Sequence, residues 1–209
     1  MNPRMIARIV AVAAPLWVTG LAGCPFSPSK GGTKPDPVPS NYLPQTSITN
    51  VLANLKTAYT EKNYNEYIKL LDPSFAYNFA PEDVGQNDIP ATWGFADETA
   101  STENMFSGHP NQDGYRAEGI TLTFEPGVPQ PDPDEMPGTT LVVLSSVFLT
   151  VEGRHETTAD LLYYEVEGDH ADLYFKQTDE VDSGTGLKIW KIARWDDKPI
   201  TGGLVAANL

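Results

Sequence analysis

The chain has 209 residues, 28 Asp or Glu against 14 Lys or Arg, and a formal net charge of -14. That balance argues against nucleic acid as a partner, because phosphates demand a basic face, and its ordinary consequence is a solvated, self-repelling surface. One Cys rules out a disulfide within the chain, three His are too few for a structural zinc site, and 40% hydrophobic residues at this length suffice for one core.

Arg4 and Arg8 precede an apolar run from Ile9 to Leu21 that is broken by Pro15. The run is shorter than the ~20 residues of a spanning helix and reads as a signal-peptide core. It closes on Leu21-Ala22-Gly23-Cys24, which resembles the lipobox of bacterial lipoproteins. The resemblance implies that residues 1–23 are removed and that Cys24, the only thiol, carries the lipid that makes the membrane a partner. The implied address is the cell envelope. Pro25 in place of Asp implies outer-membrane sorting, facing the periplasm, in a Gram-negative host. Residues 24–44 are rich in Pro, Ser, Gly and Lys without apolar periodicity, so they read as a tether extending at roughly 3 Å per residue.

Ile48, Val51, Leu52, Leu55 and Tyr59 fall on one helical stripe. Tyr64, Tyr67, Ile68 and Leu71 restart the pattern, and Asn63 with Glu66 has the spacing of a capping box, so a second helix begins near Asn63. Asp72-Pro73 ends it, and the alternation of Phe75, Tyr77 and Phe79 predicts a strand. After a loop, Asp97 caps a third helix whose face holds Phe95, Thr99, Thr102 and Phe106, with Gly108 as its stop.

Strand signals dominate the remainder. Ile120, Leu122 and Phe124 alternate, and residues 140–151 are apolar on both faces, as in a central strand. Residues 161–166 and 171–177 flank Glu167-Gly168-Asp169-His170, which reads as a hairpin turn, and residues 187–195 supply a last strand. Residues 126–138 are a connecting loop, residues 199–209 a C-terminal tail, and there is no internal repeat.

Several segments in this order resemble the NTF2-like family: Tyr59 to Asn63 between the helices, Tyr67 to Phe75 as the helix-to-strand passage, Trp93-Gly94 before helix three, and the closing Trp190 to Asp197. The resemblance covers about residues 45–198. It implies an α+β cone in which three N-terminal helices pack on a curved antiparallel sheet. The family holds isomerases, dehydratases, polyketide cyclases and transport adaptors, so the fold does not fix a function. Members resembling ketosteroid isomerase use a carboxylate near the end of the first strand and a tyrosine on helix one. Those positions fall near Phe79 and Leu55 here, so no catalytic residue is carried over.

His109, His155 and His170 all stand beside turn-forming residues and read as solvent-exposed. Asp132, Asp134 and Glu135 lack the glycine and distal glutamate of an EF-hand loop, so they read as a solvated acidic loop and no metal is assigned. Candidate pocket-lining residues are Tyr59, Tyr77, Trp93, Phe106 and Tyr163, each on a segment expected to face the gap between helices and sheet. The expected function is a lipid-anchored, noncatalytic domain that binds a small apolar ligand or a protein partner, with no cofactor. The alternative is an isomerase, dehydratase or cyclase of the SnoaL type. A carboxylate and a second proton donor converging in a cavity would separate the two.

Overall fold

The structure is a computed structural model and describes residues 41–85, 89–134 and 138–198. The signal segment, Cys24, the tether up to residue 40 and the tail 199–209 lie outside the described residues. Helix α1 spans Ile48–Glu61. Ser47 starts it by accepting from the Asn50 N–H at 3.2 Å, which satisfies one of the donors a helix N-terminus leaves open. Val51, Leu52, Leu55, Ala58 and Tyr59 form its buried stripe. Lys62 stops it in the left-handed conformation. Helix α2, Tyr64–Leu70, starts where the sequence places it: the Asn63 side chain accepts from the Glu66 N–H at 3.2 Å. Only half of the capping box is made, because the Glu66 carboxylate accepts from Lys69 at 2.6 Å instead.

Strand β1 follows directly, Leu71–Asn78, then β2, Thr92–Gly94, and helix α3, Phe95–Phe106. Asp97 is not the N-cap of α3. Gly94 holds that position, and Asp97 reaches back from the third helical residue to accept the Gly94 N–H at 3.1 Å. The remaining strands are β3, Tyr115–Pro126; β4, Gln130–Pro131; β5, Thr139–His155; β6, Leu161–Val181; and β7, Lys188–Lys198.

The strand order is β2-β1-β7-β6-β5-β3, with β4 joined to β5. The α+β expectation holds at that level: the described residues form three helices and one curved sheet. Two finer expectations are corrected. The sheet is mixed, because β1 runs parallel to β7, with Tyr77 opposite Trp195. Alternation along a strand encodes which face is buried, not the direction of its partner. The helices also do not all precede the sheet, since α3 follows β1 and β2.

A third correction concerns residues 167–170, where the expected hairpin turn is absent. Strand β6 runs straight through them, with Asp169 opposite Val147 and His170 opposite Lys198. Gly168 lies where β5 carries two register shifts, around Val147, next to Ser146 at φ 51°. A glycine inside a strand pattern marks a bulge or bend as readily as a reversal. The actual reversal lies between His155 and Leu161, where the His155 N–H donates to the Asp160 carbonyl at 2.9 Å.

The core lies between the helices and the inner face of the sheet. Val51, Leu55 and Ala58 of α1 join Val142 and Leu144 of β5, Leu173 and Phe175 of β6 and Ile192 of β7, all fully buried. Each large side chain among them contributes about 1.5–3 kcal/mol through burial. On the opposite face, Arg194 lies 3.5 Å from the centre of the Tyr174 ring and pairs with Asp134 of the β3–β5 loop. Asp132 of that loop is only 7% exposed and accepts from Thr139 Oγ1 at 2.6 Å. The expected solvated acidic loop is therefore corrected at Asp132, which is buried, while Asp134 is exposed as expected and ties the loop to the sheet through Arg194. Glu135 lies outside the described residues.

Candidate functional site

All three helices converge on one buried acid. Glu98 of α3 is 8% exposed, and its Oε1 accepts from Tyr67 Oη of α2 at 2.5 Å and from Thr102 Oγ1 at 3.1 Å. The Tyr59 ring of α1 meets the Tyr67 ring edge-on at 5.6 Å, and Phe106 closes the group at 5.3 Å from Tyr59 and 5.9 Å from Tyr67. Burial pushes the Glu98 carboxyl above its ordinary value, with the two hydroxyl donors pulling the other way. Burial likewise pushes Tyr59 and Tyr67 up, and the nearby Glu98 carboxyl adds to both shifts. These phenols stay protonated, and the acid is biased toward its neutral form.

Sequence reading missed Glu98, although a signal was present. Phe95, Glu98, Thr102 and Phe106 follow the spacing of one helical face, so an acid on that stripe had to be buried with a donor beside it.

A second aromatic group lies at the β2 edge of the sheet. Tyr77 is its hub, with ring centres 4.7 Å from Phe79, 6.4 Å from Trp93 and 5.9 Å from Trp195. Phe79 meets Trp93 edge-on at 4.9 Å. Tyr77, Phe79 and Trp93 are half-buried, and Trp195 belongs to the core. Of the five candidate lining residues, Tyr59 and Phe106 thus join the Glu98 group and Tyr77 and Trp93 join the edge group. Tyr163 joins neither: it is 54% exposed on β6, opposite Glu152 of β5.

His109 is exposed just past α3 and His170 is exposed within β6, where no turn occurs, whereas His155 is half-buried against Tyr115 at 5.0 Å. Its Nδ1 accepts from the Thr157 and Thr158 N–H groups at 3.3 Å each, which uses the ring to build a turn. Among the described residues, no group of three or more His, Cys, Asp or Glu is placed to hold a metal, and no helix is long and apolar enough to cross a membrane. Two surface depressions of about 430 Å³ each share Lys62. One is bounded by Asn63, Tyr64, Glu103 and Phe106, whose ring meets that of Tyr67. The other is lined by Lys62, Gly108, Arg116, Ala117 and Glu118.

No protein-family model matches the chain, and no curated protein matches it. Several solved structures do. An NTF2-like protein of unknown function in nutrient uptake from Rhodospirillum rubrum is 11% identical, with 74% of this chain and 98% of that one covered at a TM-score of 0.44. An NTF2-like protein with a cystatin-like fold from Novosphingobium aromaticivorans is 13% identical, with 76% and 83% covered at 0.43. An NTF2-like protein from Cytophaga hutchinsonii is 13% identical, with 73% and 95% covered at 0.39. Likeness at this distance says nothing about activity. These neighbours are NTF2-like proteins, the family that residues 45–198 resemble.

Proposed function

We propose that this chain is a membrane-anchored bacterial lipoprotein whose domain binds a small apolar ligand or a protein partner and performs no chemistry on it. The observation that carries the reading is the closure of the Glu98 group. Its acid is almost wholly buried, and the oxygen that accepts hydrogen bonds is already occupied by Tyr67 and Thr102. A general acid or base must come within hydrogen-bond reach of the proton it moves, and here the helices' own donors hold that place. The half-buried rings of Tyr77, Phe79 and Trp93 instead offer apolar surface on which a ligand can stack. Native mass spectrometry of the mature domain from its source tests the reading by reporting a retained ligand and the stoichiometry. Bare monomer in every preparation counts against it.

The anchoring rests on Leu21-Ala22-Gly23-Cys24 behind a short apolar core. Cys24→Ala is expected to move the protein from the membrane to the soluble fraction and to abolish palmitate labelling. Unchanged fractionation and labelling would reject the assignment, and with it the outer-membrane, periplasm-facing address.

A second reading, an isomerase, dehydratase or cyclase, is favoured by the pairing of Glu98 with Tyr67, an acid and a phenol in direct contact. It takes over if an enolisable substrate is turned over and a folded Glu98→Gln variant loses that turnover.

A further inference from the structure

Two placements at the β3 edge of the sheet run against local preference, and both put positive charge into one depression. Lys62 ends α1 at φ 50°, a conformation for which glycine is the ordinary residue at a helix C-terminus. Arg116 stands directly opposite Arg154 in the β3–β5 pair, and like charges facing each other across strands weaken the pairing. Glu118 offsets this only in part, accepting from Arg154 Nε at 2.6 Å and from Arg116 Nη2 at 3.2 Å. The chain has twice as many acids as bases, and here Arg116 and Arg154 share Glu118, with Glu152 close enough to act on Arg154 and Lys62 on the adjoining wall. Locally unfavourable choices persist where something other than folding holds them.

The depression is an open surface hollow of about 430 Å³ lined by Lys62, Arg116 and Glu118 with the small residues Gly108 and Ala117, so what it offers a ligand is charge and not enclosure. Lys62 Nζ donates to the Ala117 carbonyl at 2.9 Å, which uses one of the ammonium's three donors. The Arg116 fork gives one bond to Glu118 out of five donors. Donors of both kinds therefore remain at the wall of the depression, a point charge beside a planar fork. Guanidinium and ammonium groups together select carboxylate and phosphate oxygens.

We propose that this depression binds an oxyanion, a carboxylate or phosphate group, between Lys62 and Arg116. The site lies apart from the aromatic edge group and does not rest on the reading given above. The competing explanation is that Lys62 serves only to satisfy the Ala117 carbonyl.

The test uses the unlipidated full chain at fixed ionic strength, with inorganic phosphate, benzoate, and vesicles of phosphatidylglycerol or of phosphatidylcholine as probes. The expected result is a saturable shift of the Lys62, Gly108 and Ala117 amide resonances with phosphate or benzoate, weakened at least tenfold in Arg116→Gln and in Lys62→Gly. Lys62→Gly relieves the left-handed conformation but gives up the bond to the Ala117 carbonyl, so the Tm and the unliganded amide spectrum of each variant are recorded beside its binding to separate lost binding from a folding defect. A response to phosphatidylglycerol vesicles without one to phosphate or benzoate supports the site and assigns its oxyanion to a lipid headgroup. Shifts equal to those from chloride at the same ionic strength overturn the proposal, as does undiminished binding by Lys62→Gly.

Discussion

Glu98 sits in its helix face for a reason that can be measured through pH. Burial raises its folded-state pKa above the ordinary value of 4.5, so the folded chain binds a proton more tightly than the unfolded chain does. The associated stability is fully present below the ordinary pKa and is lost as pH rises through the folded one. Glu98→Gln keeps an acceptor for Tyr67 and Thr102 but cannot ionise. Its Tm is therefore expected to gain on that of the parent as pH rises from about 4.5, with the gap levelling off once the parent acid has ionised. A gap independent of pH would show that the carboxyl does not titrate in this range. Tyr67→Phe removes the shorter of the two bonds to Glu98 while keeping the ring packing. That leaves a buried acceptor with one donor fewer and is expected to cost about 1–3 kcal/mol by denaturant unfolding.

At the scale of elements, the α2 cap was legible because it acts between neighbours in sequence. Asn63 starts α2 where the sequence alone puts it, whereas the helix closes at Leu70 and Leu71, expected on its stripe, already opens β1 together with Asp72 and Pro73. Asn63→Ala is expected to lower stability by about 1 kcal/mol in the same measurement. The parallel β1–β7 pair was not legible, since its partners Tyr77 and Trp195 are held together only by the completed sheet. Nor was the passage of β6 through Gly168, because a glycine between two apolar runs marks a bend and a reversal alike. The Glu98 group lay between these cases. Its stripe was readable, but Tyr67 as its partner required the packing of α2 on α3. Strand β3 shows another element-level device that sequence hides: it is a sheet edge, and Lys56 of α1 donates to its Phe124 carbonyl at 2.9 Å while lying 4.1 Å from the Phe124 ring centre. Charged side chains at edges oppose strand addition by another chain. Lys56→Ala is expected to increase light scattering on heating, at a stability cost of about 0.5–1.5 kcal/mol. Unchanged scattering would show that packing of α1 alone protects the edge.

For the whole molecule, the question is where the folded unit begins. All periodic apolar segments lie beyond Pro44, yet the preceding residues are tied in. Asn41 Nδ2 and Tyr42 Oη donate to the Glu61 carboxylate at 3.0 and 2.8 Å, and Asn54 exchanges two hydrogen bonds with the Leu43 backbone. The Trp190 N–H donates to the Gln45 carbonyl at 2.7 Å, so the entering chain also grips β7. A fragment beginning at Asn41 keeps every one of these bonds and is expected to melt cooperatively, at the same Tm as one beginning at Pro25. A fragment beginning at Thr46 loses the Leu43 and Gln45 bonds and leaves the buried Asn54 side chain without its Leu43 partners, so its Tm is expected to fall by several degrees. The Glu61 contacts add a pH signature. The Asn41 and Tyr42 bonds hold that carboxyl below its ordinary value, so the stability they contribute is present above the ordinary pKa of a carboxylate and is lost as pH falls through the depressed one. Melting a fragment that begins at Leu43 beside the one from Asn41 isolates those contacts: the longer fragment is expected to keep its advantage at neutral pH and to lose part of it under acid. Equal melting at every pH would show that residues 41 and 42 belong to the tether.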